Sequence, residues 1–448
     1  MGPKFFAMLG TACLVSTPAS AQQVPTGASG DTTLILAGQL LDRPGHPARG
    51  PATIVVRGGR IIEVRDGFAE PAPGQRVADL RKHFVLPGLM DMHVHLFISG
   101  DPLKARLEAT TRDLEDGFVM AAVNARKTVE AGFTTVRDLG GDLRGSRALR
   151  DAIAAAELPG PTIVFSGSML SVTGGHGDRA NGLNRDNAAV ARENAINVCD
   201  GADSCRRAVR RQVSMGADVI KIAATGGVNS NVAGGIGVQM FEDELKAIVD
   251  TAHMFGRKVA AHAHATDGIE AALRAGVDSI EHGAFTEDST VALFKQKDAY
   301  LVPTELAALT ALTQARRGDR PPAVLEKAEA TARVAKLNHR RAIVGGVKIA
   351  LGTDSGVSPH GENAREFKLM VDAGMTPMEA IKAATVNAAD LLDRSKDIGT
   401  IEPGKYADIV AVAGSPLEDV TRLENISFVM RHGVVLKDGG LRQPFPPN

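Results

Sequence analysis

The chain has 448 residues, 44% hydrophobic and 23% charged, which suits a large buried core and excludes a disordered chain or a small disulfide-stapled scaffold. With 51 Lys+Arg against 52 Asp+Glu the net charge is −1, and aromatic residues make up only 4% with no Trp. That balance argues against nucleic acid or an anionic membrane as the main partner, and so few aromatics argue against stacking platforms for bases or sugars.

Met1 to Ala21 reads as a secretory signal peptide: Lys4 is the positive start, Phe5 to Val15 the apolar run, and Ala19-Ser20-Ala21 the cleavage pattern. The run is too short to span a bilayer. The mature chain is therefore expected to begin near Gln22 and to be exported, periplasmic or secreted, with no membrane attachment afterwards. Cys13 leaves with that segment. Cys199 and Cys205, on what reads as a polar turn in CDGADSC, form either a local disulfide or two buried thiols.

The stretches TLILAGQLLD and ATIVVRGGRIIEV near the start, and ADIVAVAG, FVMRHG and VVLKDG near the end, read as short strands punctuated by turns. Residues 22–84 and 398–448 are therefore expected to build one small β-sandwich domain from both termini. Between them, residues 85–397 alternate. Eight apolar runs (FVLPGLMDMHV, TTVRDLG, PTIVFSG, DVIKIAATG, KVAAHAH, SIEHG, YLVPT and KIALGTDSG) are mostly followed by helical patterns. Two examples are the stripe Leu245, Ile248, Val249, Ala252 and the stripe Ile381, Ala384, Ala388, Leu391, Leu392. This predicts an α/β fold, a (β/α)8 TIM barrel with its chemistry at the C-terminal strand ends. A doubly wound sheet is the alternative, but no G-x-G-x-x-G opens a helix after the first strand. The helical stretch from Pro321 to Gly345 is expected to act as a lid.

Five runs end in metal-ligand residue types. The first gives His93 and His95, the fourth Lys221, the fifth His262 and His264, the sixth Glu281-His282, and the eighth Asp354. In a strand, residues i and i+2 face one side, so each His-x-His pair aims at one spot. One such pair is weak evidence; the joint pattern converges on one rim of a barrel.

These motifs (PGLMDMHVHL, Lys221 in the fourth run, His262, SIEHG and GTDSG), with the tail TPMEAIKAATVNAADLLD and DIGTIEPGKYADIVAV, resemble the amidohydrolase superfamily over nearly all of the mature chain. TGGHGD and KIAATGGVNSN are most similar to its imidazolonepropionase-like, prolidase-like branch, which includes Xaa-Pro dipeptidases and ochratoxin amidases. The resemblance implies two divalent metal ions, usually zinc, with Mn²⁺, Co²⁺ or Fe²⁺ able to substitute. His93, His95 and Asp354 would hold one ion, and His262 and His282 the other. Lys221, carboxylated by CO2, would bridge them. A charged ammonium cannot ligate a cation, whereas a carbamate is an anionic oxygen donor that two nearby cations favour.

The implied reaction is attack of a metal-bridging hydroxide on an amide next to a free carboxylate, in a dipeptide, an N-acyl amino acid or an ochratoxin-like amide. Asp354 would be the acid/base, and His264 a further catalytic group touching substrate. His176 and Asn231 are candidate substrate-binding residues, with Asn229 and Ser230 as neighbours, and Gly174, Gly175 and Gly177 are expected to offer free N–H groups to a carboxylate. Asp138 is expected behind the ligands, and His360 is a possible neighbour of the site. His46, His83, His253, His339 and His432 are expected to be packed or solvated. The alternative activities are hydrolysis of a cyclic amide, lactone or phosphoester. A non-catalytic homologue is disfavoured because all six ligands are present. Relatives often assemble as large homo-oligomers, so a homo-oligomer, possibly an octamer, is expected.

Overall fold

Eight parallel strands alternate with helices in the order expected from the eight apolar runs: Leu89–Val94, Phe133–Asp138, Thr162–Phe165, Val219–Ala223, Lys258–Ala263, Ser279–His282, Tyr300–Val302 and Lys348–Ile349. The structure, a computed structural model, describes residues 32–445 except 194, 231 and 233. The signal segment Met1–Ala21 and Asn231 therefore lie outside the described residues. The barrel strands form a three-stranded and a five-stranded sheet, closed into a ring at two seams. At one seam Met92 N–H donates to Leu351 O (2.8 Å) and His95 N–H to Ser355 O (2.6 Å). At the other, Leu170 N–H donates to Lys221 O (2.8 Å) and Ala223 N–H to Leu170 O (2.9 Å). Both seams use residues just past a strand, and the first and eighth strands meet at the level of His93 and His95.

The helices cover the barrel with the faces their periodicity predicts. Helix Glu242–Met254 buries Leu245, Ile248, Val249 and Ala252, and each large aliphatic side chain so buried stabilises the packing by about 1.5–3 kcal/mol. The stripe through Ile381 to Leu392 is not one helix. It breaks into Pro377–Ala383 and Val386–Leu391, because Thr385 leaves the helical region (φ −132°, ψ −86°). The apolar residues stay in register across that break, which is why spacing alone did not expose it.

The β domain is one eight-stranded sheet drawn from both ends of the chain, in which Ile409–Ala413 pairs antiparallel with Arg76–Pro87 and Thr32–Leu40 pairs parallel with it. The sheet curls on itself: Ile61 N–H donates to Lys405 O (2.9 Å) and Gly404 N–H to Ile61 O (2.8 Å), enclosing an apolar core that includes Ile35, Ile54, Val85, Ile409 and Phe428. Strand Arg76–Pro87 runs three residues beyond position 84 before Gly88 turns the chain into the barrel.

Cys199 and Cys205 are disulfide-bonded. They are buried in the barrel's core cluster and do not lie on an exposed turn, with Cys205 in the first turn of helix Ala202–Ser214. Closing so short a loop restricts the unfolded chain by about 2 kcal/mol. Glu244 reinforces this corner by accepting from Gly201 N–H (2.6 Å) and Phe241 N–H (2.8 Å). No helix among the described residues is long and apolar enough to cross a membrane.

Candidate active site

The predicted ligand residues come together. His93, His95, Lys221, His262, His282 and Asp354 all line one cavity of about 250 Å3 at the C-terminal end of the barrel. The donor atoms of His93, His282 and Asp354 lie within 4.8 Å of one another. Asp354 Oδ1 is 3.1 Å from His95 Nε2 and 3.7 Å from His93 Nε2. His262 packs edge-on to His282 at 4.5 Å between ring centroids. A roomier cavity of about 450 Å3 opens at the opposite end of the barrel, but Arg60, Arg257, Lys258, Arg394 and Tyr406 line it with no histidine.

Each imidazole is oriented by the nitrogen that does not face the cavity. An acceptor-only oxygen near one ring nitrogen assigns the N–H to that nitrogen and leaves the other as a lone pair. His93 Nδ1 lies 2.9 Å from Glu281 Oε2, and His95 Nδ1 lies 3.2 Å from Gly140 O. His262 Nε2 lies 3.3 Å from Gly226 O. His282 Nδ1 lies 2.7 Å from Thr304 Oγ1, whose own proton goes to Pro303 O. Nε2 of His93, His95 and His282 and Nδ1 of His262 are thereby freed. Burial holds His93 down to about 4 and pushes His262 and His282 well below the usual histidine range, so these rings are neutral at neutral pH. Burial also disfavours His95⁺, but the adjacent Asp354 more than offsets this and raises it.

Lys221 is buried, and among the described residues its Nζ has no hydrogen-bond partner. Burial lowers its pKa to about 8, against the partial opposition of Glu281 and Asp354. An orphaned, readily deprotonated amine beside free imidazole nitrogens and a carboxylate is a nitrogen–oxygen donor set suited to divalent metals once the amine is carboxylated. Backbone strain marks the same rim. His282, Thr304 and Asp354, which end or follow the sixth, seventh and eighth strands, have φ of 73°, 52° and 52°. Such conformations cost about 1–3 kcal/mol each and persist where the surroundings impose them.

The other candidates fall into place unevenly. His264 stacks on His282 (5.1 Å, 18°) with its Nδ1 buried and unpartnered, and burial pushes it down to about 3. His176 stacks over His262 (4.3 Å), also with an unpartnered Nδ1. Any side chain on Gly227 would collide with the His176 ring, so that close approach requires glycine. Asn229 lines the cavity, with Oδ1 unpartnered. Ser230 Oγ instead donates to Gly227 O (3.0 Å).

The expected anion cradle at Gly174, Gly175 and Gly177 is overturned. Their N–H groups donate to Asp178 Oδ2, Val172 O and Ser171 Oγ within the loop itself. Asp138 sits near His95 without touching it; Gly140 N–H reaches Asp138 Oδ1 (3.3 Å) while Gly140 O meets His95. His360 Nε2 lies 3.1 Å from His95 O. Of the histidines expected to be bland, His339 is packed as expected but lines the cavity, its Nε2 2.7 Å from His282 O and its Nδ1 2.6 Å from Glu305 Oε1.

Sequence reasoning missed residues that hold the candidate ligands in place. Asp91 accepts from His93 N–H (3.0 Å), Thr353 Oγ1 (2.6 Å) and Asn363 Nδ2 (2.8 Å), bracing the first strand against the eighth. Its position in PGLMDMHVH, two before His93, was the available signal. Two cations after the seventh strand were missed as well, Arg320 in the turn between helices Glu305–Arg316 and Pro322–Val344 and Lys327 in the second of them. Among the described residues Arg320 bonds the neutral amide of Gln314 (2.7 and 3.0 Å), and it lies within electrostatic reach of Asp354. Lys327 Nζ donates to Gly227 O (2.9 Å) and to Ser230 O, pinning the lid helix Pro322–Val344 to the loop after the fourth strand.

Fold and site together define a barrel hydrolase with a histidine-rich polar centre at its C-terminal rim. The chain belongs to the amidohydrolase family, whose sequence model matches residues 84–437. It is 30% identical over 432 residues to the ochratoxinase of Aspergillus niger, covering 91% of this chain and 87% of that protein. Among solved structures it is similar to a Xaa-Pro dipeptidase with methionine bound in its active site (37% identity, TM-score 0.85, 91% of this chain and 100% of that one). It is also similar to a prolidase complexed with N-methylphosphonate-L-proline (30% identity, TM-score 0.82, 92% and 100%).

Proposed function

We propose that this chain is a binuclear metal-dependent amidase that cleaves an amide or peptide bond next to a free carboxylate. The observation that carries the reading is the orphaned amine of Lys221, buried among four imidazoles with outward lone pairs and the Asp354 carboxylate. His93, His95 and Asp354 would hold one divalent ion, zinc by donor type, and His262 and His282 the other, with carboxylated Lys221 shared between them. Bound there, the ions polarise the scissile carbonyl and acidify water.

Asp354 takes the proton of the attacking water and delivers it to the leaving nitrogen as the C–N bond breaks, giving an acid and an amine. His264 and His176, each with an unpartnered buried ring nitrogen, hydrogen-bond the substrate, and Asn229 extends that wall; Asn231, outside the described residues, is proposed as a further substrate-binding residue. The lid cations Arg320 and Lys327 supply positive charge for the free carboxylate, a role the glycine loop does not fill. The similarity to a dipeptidase, a prolidase and an ochratoxinase supports this substrate class.

Lid helices Glu305–Arg316 and Pro322–Val344 face the cavity with Ala307, Ala308, Ala311, Ala328 and Ala335, so small residues leave room for a bulky apolar group beside the scissile bond. Ala311→Phe is expected to lower kcat/KM at least tenfold for N-acyl amino acids with bulky apolar groups while sparing glycine and alanine analogues. Equal losses across such a panel would remove the lid from substrate selection.

The whole reading is tested by metal analysis of purified protein together with a product-resolved screen of Xaa-Pro dipeptides and N-acyl amino acids. Two ions per chain and release of the C-terminal amino acid are expected; cleavage of cyclic amides, lactones or phosphoesters alone would overturn the substrate class. Export after cleavage near Gln22 belongs to the same reading, supported by the leader pattern and by the disulfide, a bond that persists in oxidising compartments. So does the division into a β domain (22–84 and 398–448) and a barrel (85–397). Homo-oligomerisation also belongs to it, supported by the exposed apolar pairs Leu103/Leu107 and Val119/Val123.

A further inference from the structure

Three of the four ligand imidazoles anchor their second nitrogen on a neutral oxygen; His93 alone anchors on a carboxylate, Glu281. Glu281 is fully buried in the barrel interior. Its Oε2 faces His93 Nδ1 at 2.9 Å, while Oε1 accepts from Arg137 Nη2 (2.7 Å) and Ser279 Oγ (2.6 Å). Arg137 is buried as well, its Nε on Met92 O (2.7 Å) and its Nη1 on Ser279 Oγ (3.1 Å). Three donors thus converge on one carboxylate, and the guanidinium compensates its charge. Neighbours in a regular strand face opposite sides. Here both Glu281 and His282 contact His93, the His282 ring at 5.1 Å, which the positive φ of His282 permits.

We propose that Glu281 is a positioning residue that locks His93 in its Nδ1–H tautomer and so keeps the Nε2 lone pair available to the metal, with Arg137 holding the carboxylate in place. The inference rests on the metal-site reading above. A neutral imidazole has one N–H, and its partner decides which nitrogen carries it. A carboxylate only accepts, so Nδ1 must donate. A glutamine in the same place has nearly the same shape and the opposite consequence. Arg137 can only donate, so the amide oxygen turns to it and the amide NH2 is left facing His93. That NH2 cannot accept, so Nδ1 must, and the proton moves to Nε2, the atom that should bind the ion.

The experiment compares wild type with Glu281→Gln by zinc titration against a competing chelator, with circular dichroism to verify folding and His-labelled long-range 15N–1H correlation spectra of metal-stripped protein. The wild type is expected to bind two ions and to show His93 as the Nδ1–H tautomer. E281Q is expected to lose affinity for one ion by about 10- to 100-fold, to keep the other, and to show the Nε2–H tautomer. Wild-type affinity for both ions in E281Q, or an Nε2–H tautomer of His93 in the wild type, overturns the proposal. If E281Q does not fold, the wild-type tautomer alone decides. Failure of the metal reading looks different: the wild type itself would bind no zinc, and its His93 tautomer would still judge the role of Glu281.

Discussion

Lys221→Ala is expected to abolish turnover and to strip the site of metal. Lys221 stands in the fourth barrel strand with its amine buried and unpartnered. An unpaired ammonium in such a place is costly, and burial accordingly eases its deprotonation, down to about 8. On the proposed reading, the neutral amine is the form that would bond to the carbon of CO2 and then shed a proton, giving an anionic oxygen donor for the two cations. Without it, the site loses its shared ligand and much of its negative charge. A loss of several kcal/mol of transition-state stabilisation corresponds to a kcat/KM at least about 10³-fold lower. Metal content should fall with activity. Lys221→Glu keeps an oxygen donor and is expected to retain more metal than the alanine variant. A Lys221→Met protein stripped of metal is expected to be at least as stable as stripped wild type, because it removes an unsatisfied buried polar group. Undiminished hydrolysis by Lys221→Ala would end the binuclear reading.

Asp354→Asn is expected to separate binding from chemistry. Asparagine tolerates the left-handed backbone that Asp354 adopts (φ 52°), so the substitution adds little strain there. Its amide oxygen still faces His95 Nε2, which lies 3.1 Å from Oδ1 in the native protein. It cannot take a proton from water. Removing a positioned general acid/base costs about 10²- to 10⁴-fold, so with metal supplied in excess to offset the weaker neutral donor, kcat should fall by that factor while KM changes little. Burial works against ionisation of Asp354, but His93, His95 and Lys221 more than offset it and hold the carboxyl below its usual range. It is therefore ionised, and able to accept, at neutral pH. Metal-loaded Asp354→Asn with full turnover would show that another group moves the proton.

The convergence of the candidate ligand residues on one cavity was legible because the chemistry is written in residue type at strand ends. His-x-His, a lysine inside an apolar run and an aspartate after the last run need no knowledge of loops to be placed on one rim. The groups that set tautomer and geometry were not legible. Arg137 and Glu281 are 144 residues apart and meet only because the second and sixth strands both face the barrel interior. Arg320 comes within electrostatic reach of Asp354 through the packing of helices Glu305–Arg316 and Pro322–Val344, which no local pattern encodes. The glycines after the third strand looked like an anion cradle because composition reports freedom of the backbone and says nothing of where its N–H groups are already committed. The eight strands were recovered because apolar runs bounded by glycine survive as a signal, but the ring closes through residues such as Leu170 and Ser355 that lie outside any strand.

The sheet that joins the two ends of the chain imposes an order of events on biosynthesis. Strand Arg76–Pro87 offers one edge to Thr32–Leu40 and the other to Ile409–Ala413. The second edge stays uncovered until more than three hundred further residues have left the ribosome. Four of the eight strands arrive last. A nascent chain therefore carries a long, bare β edge throughout synthesis of the barrel, the kind of template on which foreign strands can assemble. Premature termination anywhere before Ile409 leaves that edge permanently open.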